Sequence, residues 1–129
     1  MHSVRALLQA KPLRLITASP LTSVAEAMRI MRQETVRSVL ITHEGNLLGI
    51  VTDKDYLRKV AALGKNPEAV RVDAIMSTSL ITVQIDDTLQ TCMNLMADHT
   101  LHHLPVFEHG KLAGMVSWTD IMATMLGEE

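Results

Sequence analysis

The chain contains two copies of one sequence unit, and this repetition constrains its fold more than any other feature. Residues 16–55 align without a gap on residues 81–120, 65 positions later, and ten of these forty pairs are identical. The densest match joins residues 45–55 to residues 110–120. An internal repeat of this kind indicates a repeated structural unit, so whatever site one copy builds the other copy can build too.

The hydrophobic and turn patterns predict the same order of elements in both copies: strand, helix, strand, strand, helix. Short β-branched segments come first, helix-start patterns follow, and two apolar runs around a Gly-containing turn indicate a hairpin. Pro105 has no N–H to donate to a sheet, so we expect it at the start of its strand. The predicted elements are first strands at 15–17 and 80–83, helix starts at Ser23 and Asp87, hairpins at 39–52 and 104–116, and closing helices at 55–63 and 120–126.

A short helix is predicted before each copy, at 4–8 and at 72–76. These two segments are 68 residues apart rather than 65, so the first copy carries three extra residues, which we place around 11–13. Gly64 and Gly127 follow the closing helices, where a helix commonly ends on a left-handed residue.

The length favours one module built from two repeats. A unit of about 60 residues is marginal alone, so we expect the two copies to pack against each other. We assign residues 1–64 to repeat one with its N-terminal helix, 65–71 to a linker, and 72–129 to repeat two.

Composition excludes several classes of function. The formal net charge is −2 and aromatic residues make up 2% of the chain, so the basic face and the stacking side chains of nucleic-acid-binding proteins are missing. The sequence contains no signal-peptide pattern and no apolar run of membrane length. Cys92 is the single cysteine and matches Ala27 of repeat one, so we expect a small core residue rather than a nucleophile. These observations predict a cytoplasmic protein with neither nucleic-acid nor membrane partners.

Each hairpin ends in the pattern hydroxyl-x-x-Asp, at Thr52 to Asp55 and at Ser117 to Asp120. One interpretation is structural, because this pattern before an apolar run caps the free amides at a helix start. The other is functional: a helix start attracts phosphate, a hydroxyl adds a donor, and a carboxylate can accept both hydroxyls of a ribose. A nucleotide offers that combination of phosphate and vicinal diol.

With this doubled motif, each copy resembles a CBS motif, the unit named after cystathionine β-synthase, and the chain resembles a CBS-domain pair. The resemblance extends from about Val4 to Leu126, and the segment 102–106 before the second hairpin supports it. It implies an α+β fold of two β-α-β-β-α repeats packed about a pseudo-twofold axis, with two clefts. Repeat one departs from the usual pattern at Val39-Leu40, where repeat two has Leu104-Pro105. We therefore expect unequal clefts.

The resemblance further implies a regulatory module that binds AMP, ADP, ATP or another adenosyl compound, requires no cofactor, and is not an enzyme. Asp55 and Asp120 would hold ribose hydroxyls, with Thr52 and Ser117 beside ribose or phosphate. The remaining positions would border the base or approach phosphate: Ile16, Thr17, Arg37, Ser38, Val39, Ile81, Thr82, His102, His103, Leu104 and Pro105.

The partners implied by the resemblance are an adenosine-containing small molecule, a second copy of the chain, and an unknown effector protein in trans. The apolar helix segments 56–60 and 121–125 are the expected homodimer contacts.

Two other functions remain open from the residues. The chain could be a structural or oligomerisation module without a ligand, or a small nucleotide-processing enzyme, although no catalytic motif is present. His99, His102, His103 and His109 could suggest a metal site, but their spacing crosses a helix-to-strand junction, so we predict none. Trp118 lies within the second motif at the position of Asp53, and the sequence does not assign it a role.

Overall fold

A computed structural model describes residues 3–10 and 15–127. The predicted insertion around 11–13 lies outside the described residues. The chain forms two compact units: a central unit, Ile16–Leu80, and a split unit that joins Met1–Leu15 to Ile81–Glu129.

The central unit follows the predicted order of elements. A three-stranded sheet has β2 (Ser38–His43) in the middle. Strand β1 (Thr17–Ala18) is parallel to it and β3 (Asn46–Thr52) is antiparallel to it. The helix after the hairpin starts as an α-helix and continues as a π-helix over Leu57–Ala61. The elements are β1 (Thr17–Ala18), α2 (Val24–Glu34), β2 (Ser38–His43), β3 (Asn46–Thr52), α3 (Asp53–Tyr56) and a 3₁₀ turn, Val72–Ala74.

The split unit repeats this architecture, with an α-helix in the place of the 3₁₀ turn. Its sheet has the order β4-β5-β6, with the same parallel and antiparallel pairings. The elements are α1 (Val4–Ala10), β4 (Val83–Gln84), α4 (Leu89–His99), β5 (His103–Glu108), β6 (Lys111–Ser117) and α5 (Trp118–Met125). Both repeats therefore confirm the predicted α+β class.

The helices begin at hydroxyl caps. Ser23 Oγ accepts from the backbone N–H of Glu26 at 3.1 Å, as the sequence predicts. In repeat two the predicted start at Asp87 is wrong by one residue: Thr88 caps α4, and its Oγ1 accepts from the N–H of Thr91 at 3.0 Å. Asp87 instead accepts from the N–H of Gln84 at 2.8 Å, so its carboxylate closes the preceding turn.

The segment before each repeat packs on the core of the other repeat. The N–H of Val4 donates to the carbonyl of Asp87 at 3.0 Å, and the N–H of Val72 donates to the carbonyl of Thr22 at 2.8 Å. Val4 is buried in the core of the split unit, and Val72 is buried in that of the central unit. The helix that the sequence places with repeat one thus belongs structurally with repeat two.

The predicted linker, 65–71, lies inside the central unit. The carbonyls of Pro67 and Val70 accept from the N–H groups of Ala25 and Val24 at 3.0 and 2.8 Å, so this segment covers the start of α2. The compact units therefore divide the chain differently from the sequence repeats.

Pro105 changes the edge of its sheet. It is the third residue of β5 rather than the first, which corrects the sequence prediction. In repeat one the N–H of Leu40 donates to the carbonyl of Ile16 at 3.0 Å. Pro105 occupies the matching position and has no N–H. Accordingly, β4 begins at Val83, one repeat position later than β1.

In the part of the chain that the structure describes, no helix is both long and apolar enough to span a bilayer.

Candidate functional site

The first hydroxyl-x-x-Asp motif forms a reciprocal cap at the start of α3. The N–H of Asp55 donates to Thr52 Oγ1 at 3.2 Å, and Asp55 Oδ2 accepts from the N–H of Thr52 at 2.9 Å and from its hydroxyl at 3.2 Å. The side chain of Asp55 is 17% exposed. The structural interpretation of this motif therefore holds in repeat one, and any ligand must use a carboxylate that already has partners.

Lys59 engages the other oxygen of the same carboxylate. Its Nζ lies 3.2 Å from Asp55 Oδ1 and donates to the carbonyl of Ile75 at 2.7 Å. Sequence reasoning missed this residue, although a lysine four positions after an aspartate on a helix is a recognisable pairing signal. The contact with Ile75 has no such signal, because it comes from a segment 16 residues further on.

The sheet brings the other predicted residues of repeat one towards this cap. Ser38 is paired with Thr52 across β2 and β3, and its side chain is 1% exposed. Val39 follows Ser38 and is buried, and Thr17 is paired with Leu40 on the other side of β2. Thr17 is exposed and Ile16 is half-buried, so this edge is open to a ligand.

Arg37 lies in a different place from the cap residues. Its side chain lines a groove of about 530 Å³ with Met28, Arg32, Asp53 and Tyr56. The predicted site residues Thr17, Ser38, Thr52 and Asp55 are not among the residues that line this groove. Arg37 reaches the motif through its backbone, where its carbonyl accepts from the N–H of Asp53 at 3.1 Å.

The second motif repeats this frame at the start of α5. Ser117 Oγ accepts from the N–H of Asp120 at 3.1 Å, and Ser117 is paired with His103 across β5 and β6. The carbonyl of His102 accepts from the N–H of Trp118 at 2.8 Å, which matches the bond between Arg37 and Asp53.

The residue at the position of Lys59 is Thr124 in repeat two. Its hydroxyl donates to the backbone carbonyl of Asp120 at 3.1 Å. A threonine side chain carries no charge, so repeat two has no ammonium group at this position. The two motifs therefore differ in the charge of the residue at this position although their backbones match.

The remaining predicted residues of repeat two surround its first two strands. Ile81 and Thr82 directly precede β4, with Ile81 half-buried and Thr82 exposed. Leu104 and Pro105 are buried within β5, so their contribution to a site is through backbone groups. His102 is exposed and His103 is half-buried.

Two further residue types were weighed in the sequence. Burial raises the pKa of the Cys92 thiol to about 11, so the thiolate that a nucleophile needs is disfavoured at neutral pH. Among the described residues, no three or more His, Cys, Asp or Glu side chains group as metal ligands would.

Comparison with known proteins assigns the family. The family model described as CBS domain matches residues 9–62 and 72–127. The chain belongs to the CBS-domain family. Because the family model matches twice, the chain is a CBS-domain pair, as the sequence repeat indicates.

The protein MK0525 of Methanopyrus kandleri is 38% identical over 83% of this chain. The CBS domain-containing protein YhcV of Bacillus subtilis is 29% identical over 88% of it. The chain spans 56% of the length of MK0525 and 80% of that of YhcV.

Solved structures of CBS proteins have the same fold. The CBS domain NE2398 superposes with a TM-score of 0.92 at 31% identity, covering 96% of this chain and 97% of that one. The CBS-domain pair of protein MJ0100 superposes with a TM-score of 0.84 at 25% identity, covering 100% of this chain and 99% of that one. That structure is a complex with 5′-methylthioadenosine and S-adenosyl-L-methionine.

Proposed function

We propose that this CBS-domain pair is a non-catalytic regulatory module that binds AMP, ADP, ATP or another adenosyl compound in the cytoplasm and acts on a partner protein in trans. The single observation that carries the proposal is the doubled motif. Each repeat places a hydroxyl and a carboxylate at a helix start beside an open sheet edge. The complex of MJ0100 with two adenosyl compounds supports this choice of ligand class.

The chemistry of the motif fits a nucleoside. A carboxylate can accept two hydrogen bonds from the vicinal hydroxyls of ribose, and charge-assisted bonds of this type are stronger than neutral ones. At each helix start the N–H groups of the first and third helical residues are already bonded, so a phosphate would use the N–H of the second, while a neutral nucleoside also satisfies the carboxylate. Thr17 in β1 and Thr82 directly before β4 are exposed at the edges of their sheets, where a base would bind.

Ligand binding is tested by thermal unfolding and calorimetry with AMP, ADP, ATP and S-adenosylmethionine, using GMP and GTP as controls for the base. A ligand at one hundred times its Kd adds about 2.7 kcal/mol per site, which raises the Tm by several degrees for a chain of this size. No Tm change with any of the four compounds would contradict the proposal.

The role of each carboxylate is tested by Asp55→Ala and Asp120→Ala, with Asp98→Ala as the matched control on an exposed residue. Loss of a charge-assisted bond of about 1.5–3 kcal/mol lowers affinity at the affected site roughly ten- to a hundredfold. Stability without ligand is measured on the same variants, since a purely structural cap would change stability and leave affinity intact.

The reciprocal cap in repeat one favours a second candidate, a structural module without a ligand. Thr52 and Asp55 cap each other, and Lys59 engages the other oxygen of Asp55, in the absence of any ligand. This candidate predicts that Asp55→Ala lowers the Tm while every compound leaves the Tm of the parent protein unchanged.

We also propose a homodimer, through part of the two helix segments that the sequence suggests. Val60 and Ile121 are buried in the cores of their own units and are not free to contact a partner. The exposed apolar side chains are Leu57 and Leu63 on one helix end and Met125 and Leu126 on the other. Light scattering at tens of micromolar should give twice the monomer mass, and Leu57→Glu should reduce it to the monomer mass, whereas Leu21→Glu should not.

A further inference from the structure

We propose that Trp118 of one copy of the chain inserts into the groove of repeat one on a second copy, so that the homodimer joins unlike faces of the two copies. The inference rests on the proposed homodimer and names the surfaces that form it. It also gives a role to Trp118, which the sequence leaves without one.

The groove of repeat one combines an apolar floor with a cationic rim. It follows one face of α2, because Ala25, Met28 and Arg32 lie at helical spacing among its lining residues. Its half-buried apolar lining includes Met28, Val36 and Tyr56, and its exposed arginines are Arg29, Arg32 and Arg37. A side chain that fills this groove therefore needs both apolar area and an attraction to guanidinium.

The charge of the rim disfavours contact with an identical face. Arg29 Nε lies 2.9 Å from Glu26 Oε1, and Arg29 Nη2 lies 3.4 Å from Glu68 Oε1. In the described part of the chain, no acidic side chain forms an ion pair with Arg32 or Arg37. Two such faces would bring like charges together, which costs binding free energy.

The corresponding face of repeat two has a different chemistry. The positions of the three arginines are filled by Asn94, Ala97 and His102, and helices α4 and α5 contain two aspartates and no lysine or arginine. Trp118 stands at the position of Asp53, which lines the groove in repeat one, and it is 37% exposed. Repeat two therefore presents an aromatic side chain where repeat one presents a groove.

An indole uses both parts of the groove. Its apolar surface can pack on Met28 and Tyr56, and its ring face attracts the guanidinium groups of Arg32 and Arg37. A free phosphate would use the arginines and leave the apolar floor unused. Each copy carries one groove and one Trp118, so a closed dimer contains two identical contacts.

The first test uses Trp118 as its own probe, because it is the single tryptophan of the chain. Its fluorescence emission should move to shorter wavelength over the concentration range in which light scattering shows the mass double. Trp118→Ala and Arg32→Glu should each raise the dimer Kd at least about tenfold, since a buried aromatic anchor and its arginine dominate such interfaces.

Matched controls separate this contact from general effects. Leu48→Ala shortens an apolar side chain of the same exposed fraction, 37%, and Arg58→Glu reverses an exposed arginine outside the groove. Both should leave the dimer Kd unchanged. Circular dichroism checks that each variant is folded, and if one of the two interface variants does not fold the other still tests the contact.

A mixture of the two interface variants tests which faces meet. The Arg32→Glu copy keeps Trp118 and the Trp118→Ala copy keeps the intact groove, so a mixed dimer regains one contact that both single-variant dimers lack. An equimolar mixture should associate at lower concentration than either variant alone. The emission comes only from the Arg32→Glu copy, and it should move to shorter wavelength when the other copy is added. Absence of this rescue would overturn the exchange of unlike faces.

The remaining outcomes separate the inference from the proposed homodimer. A dimer whose Kd is unchanged by Trp118→Ala and Arg32→Glu refutes the inference and leaves the homodimer standing. A parent protein that stays monomeric at tens of micromolar refutes both, while the nucleotide measurements stand independently. Pyrophosphate that binds through Arg32, together with an unchanged dimer Kd in Trp118→Ala, would assign the groove to an anion and overturn the inference.

Discussion

The two repeats end in nearly the same motif but differ in the residue that lies one helical turn after its aspartate. In repeat one the carboxylate of Asp55 accepts both donors of Thr52 and lies beside the ammonium of Lys59. In repeat two the position of Lys59 is filled by Thr124, whose hydroxyl donates to the backbone carbonyl of Asp120 in α5. The comparison shows that a duplicated motif can have different neighbours, because a residue outside the motif is not duplicated with it.

The sheets beside the motifs also differ, in what the glycine of each hairpin contacts. Gly49 of β3 lies against the segment Met76–Ser77, and Ser77 exchanges two backbone hydrogen bonds with Ile50 at 2.9 and 3.0 Å. Gly114 of β6 lies against the side chain of Leu8 on α1. Gly49 therefore faces the backbone carbonyl of Ser77 and the side chain of Met76, whereas Gly114 faces only the side chain of Leu8.

The largest expected effect is on stability and tests this difference. A Cβ at position 49 would lie 2.8 Å from the carbonyl of Ser77, whereas a Cβ at position 114 would lie 3.2 Å from the end of Leu8. Gly49→Ala should therefore cost about 2–3 kcal/mol, as overpacking does, and Gly114→Ala less than about 1 kcal/mol. Urea unfolding measures both, and equal costs would contradict the comparison.

The next effect concerns the two caps without ligand. Asp55→Ala removes two accepted hydrogen bonds and an ion pair and should cost about 1.5–2 kcal/mol. In Asp120→Ala the cap bond from the backbone N–H of residue 120 to Ser117 can remain, because it does not use the deleted side chain. We expect this variant to lose at least the favourable interaction of a negative charge with a helix start, about 0.3–1 kcal/mol. Urea unfolding measures both costs, and full parent stability in either variant would contradict the prediction.

A smaller effect follows from the proline in β5. Pro105→Leu restores the N–H that Leu40 uses to reach Ile16 in repeat one. The new donor should bond the carbonyl of Ile81 and stabilise the protein by about 0.5–1 kcal/mol, offset in part by greater freedom of the unfolded chain. Hydrogen exchange should show a protected amide at residue 105, and fast exchange there would contradict the extended ladder.

The smallest effect is a pH dependence of the split unit. The hydrogen bond from Arg5 at 2.9 Å lowers the pKa of Asp86 below its ordinary value of 3.8. A carboxylate with a lowered pKa stabilises the folded state above its unfolded pKa, and the contribution disappears as the pH falls through the folded pKa. Asp86→Asn should therefore lower the Tm slightly at pH 7 and not at pH 2, with Asp98→Asn as the control.

Much of the fold could be predicted from the sequence, because it depends on local patterns. The element order follows from the repeat and from the periodicity, and Gly64 and Gly127 do adopt positive φ, 66° and 75°, after the closing helices. The predicted start of α4 was wrong by one residue because Asp87 and Thr88 are adjacent, and both residue types are favoured at the position that caps a helix start. Which of them bonds the helix depends on the turn that Asp87 closes with Gln84.

The unpredicted features all depend on contacts between distant residues. The short segments before each repeat, 4–8 and 72–76, resemble each other, but this similarity does not predict which of the two cores each one joins. Arg37 lines the groove beside α2, while Ser38 next to it is buried, because Arg37 lies in the bend before β2 and Ser38 is the first residue of that strand. The contact between the carbonyl of Ile75 and Lys59 joins residues 16 positions apart, and part of the segment between them, residues 65–71, covers the start of α2.

The segment before each repeat packs on the core of the other repeat, and this arrangement has a consequence for biosynthesis. The central unit, Ile16–Leu80, is continuous and can close as soon as it leaves the ribosome. Helix α1 is made before the central unit, yet its backbone partner Asp87 is translated more than 80 residues after it. Closing so long a loop costs additional entropy, and domains made earlier fold first. We therefore expect the nascent chain to carry α1 undocked, with Val4 and Leu7 exposed, until α4 has emerged.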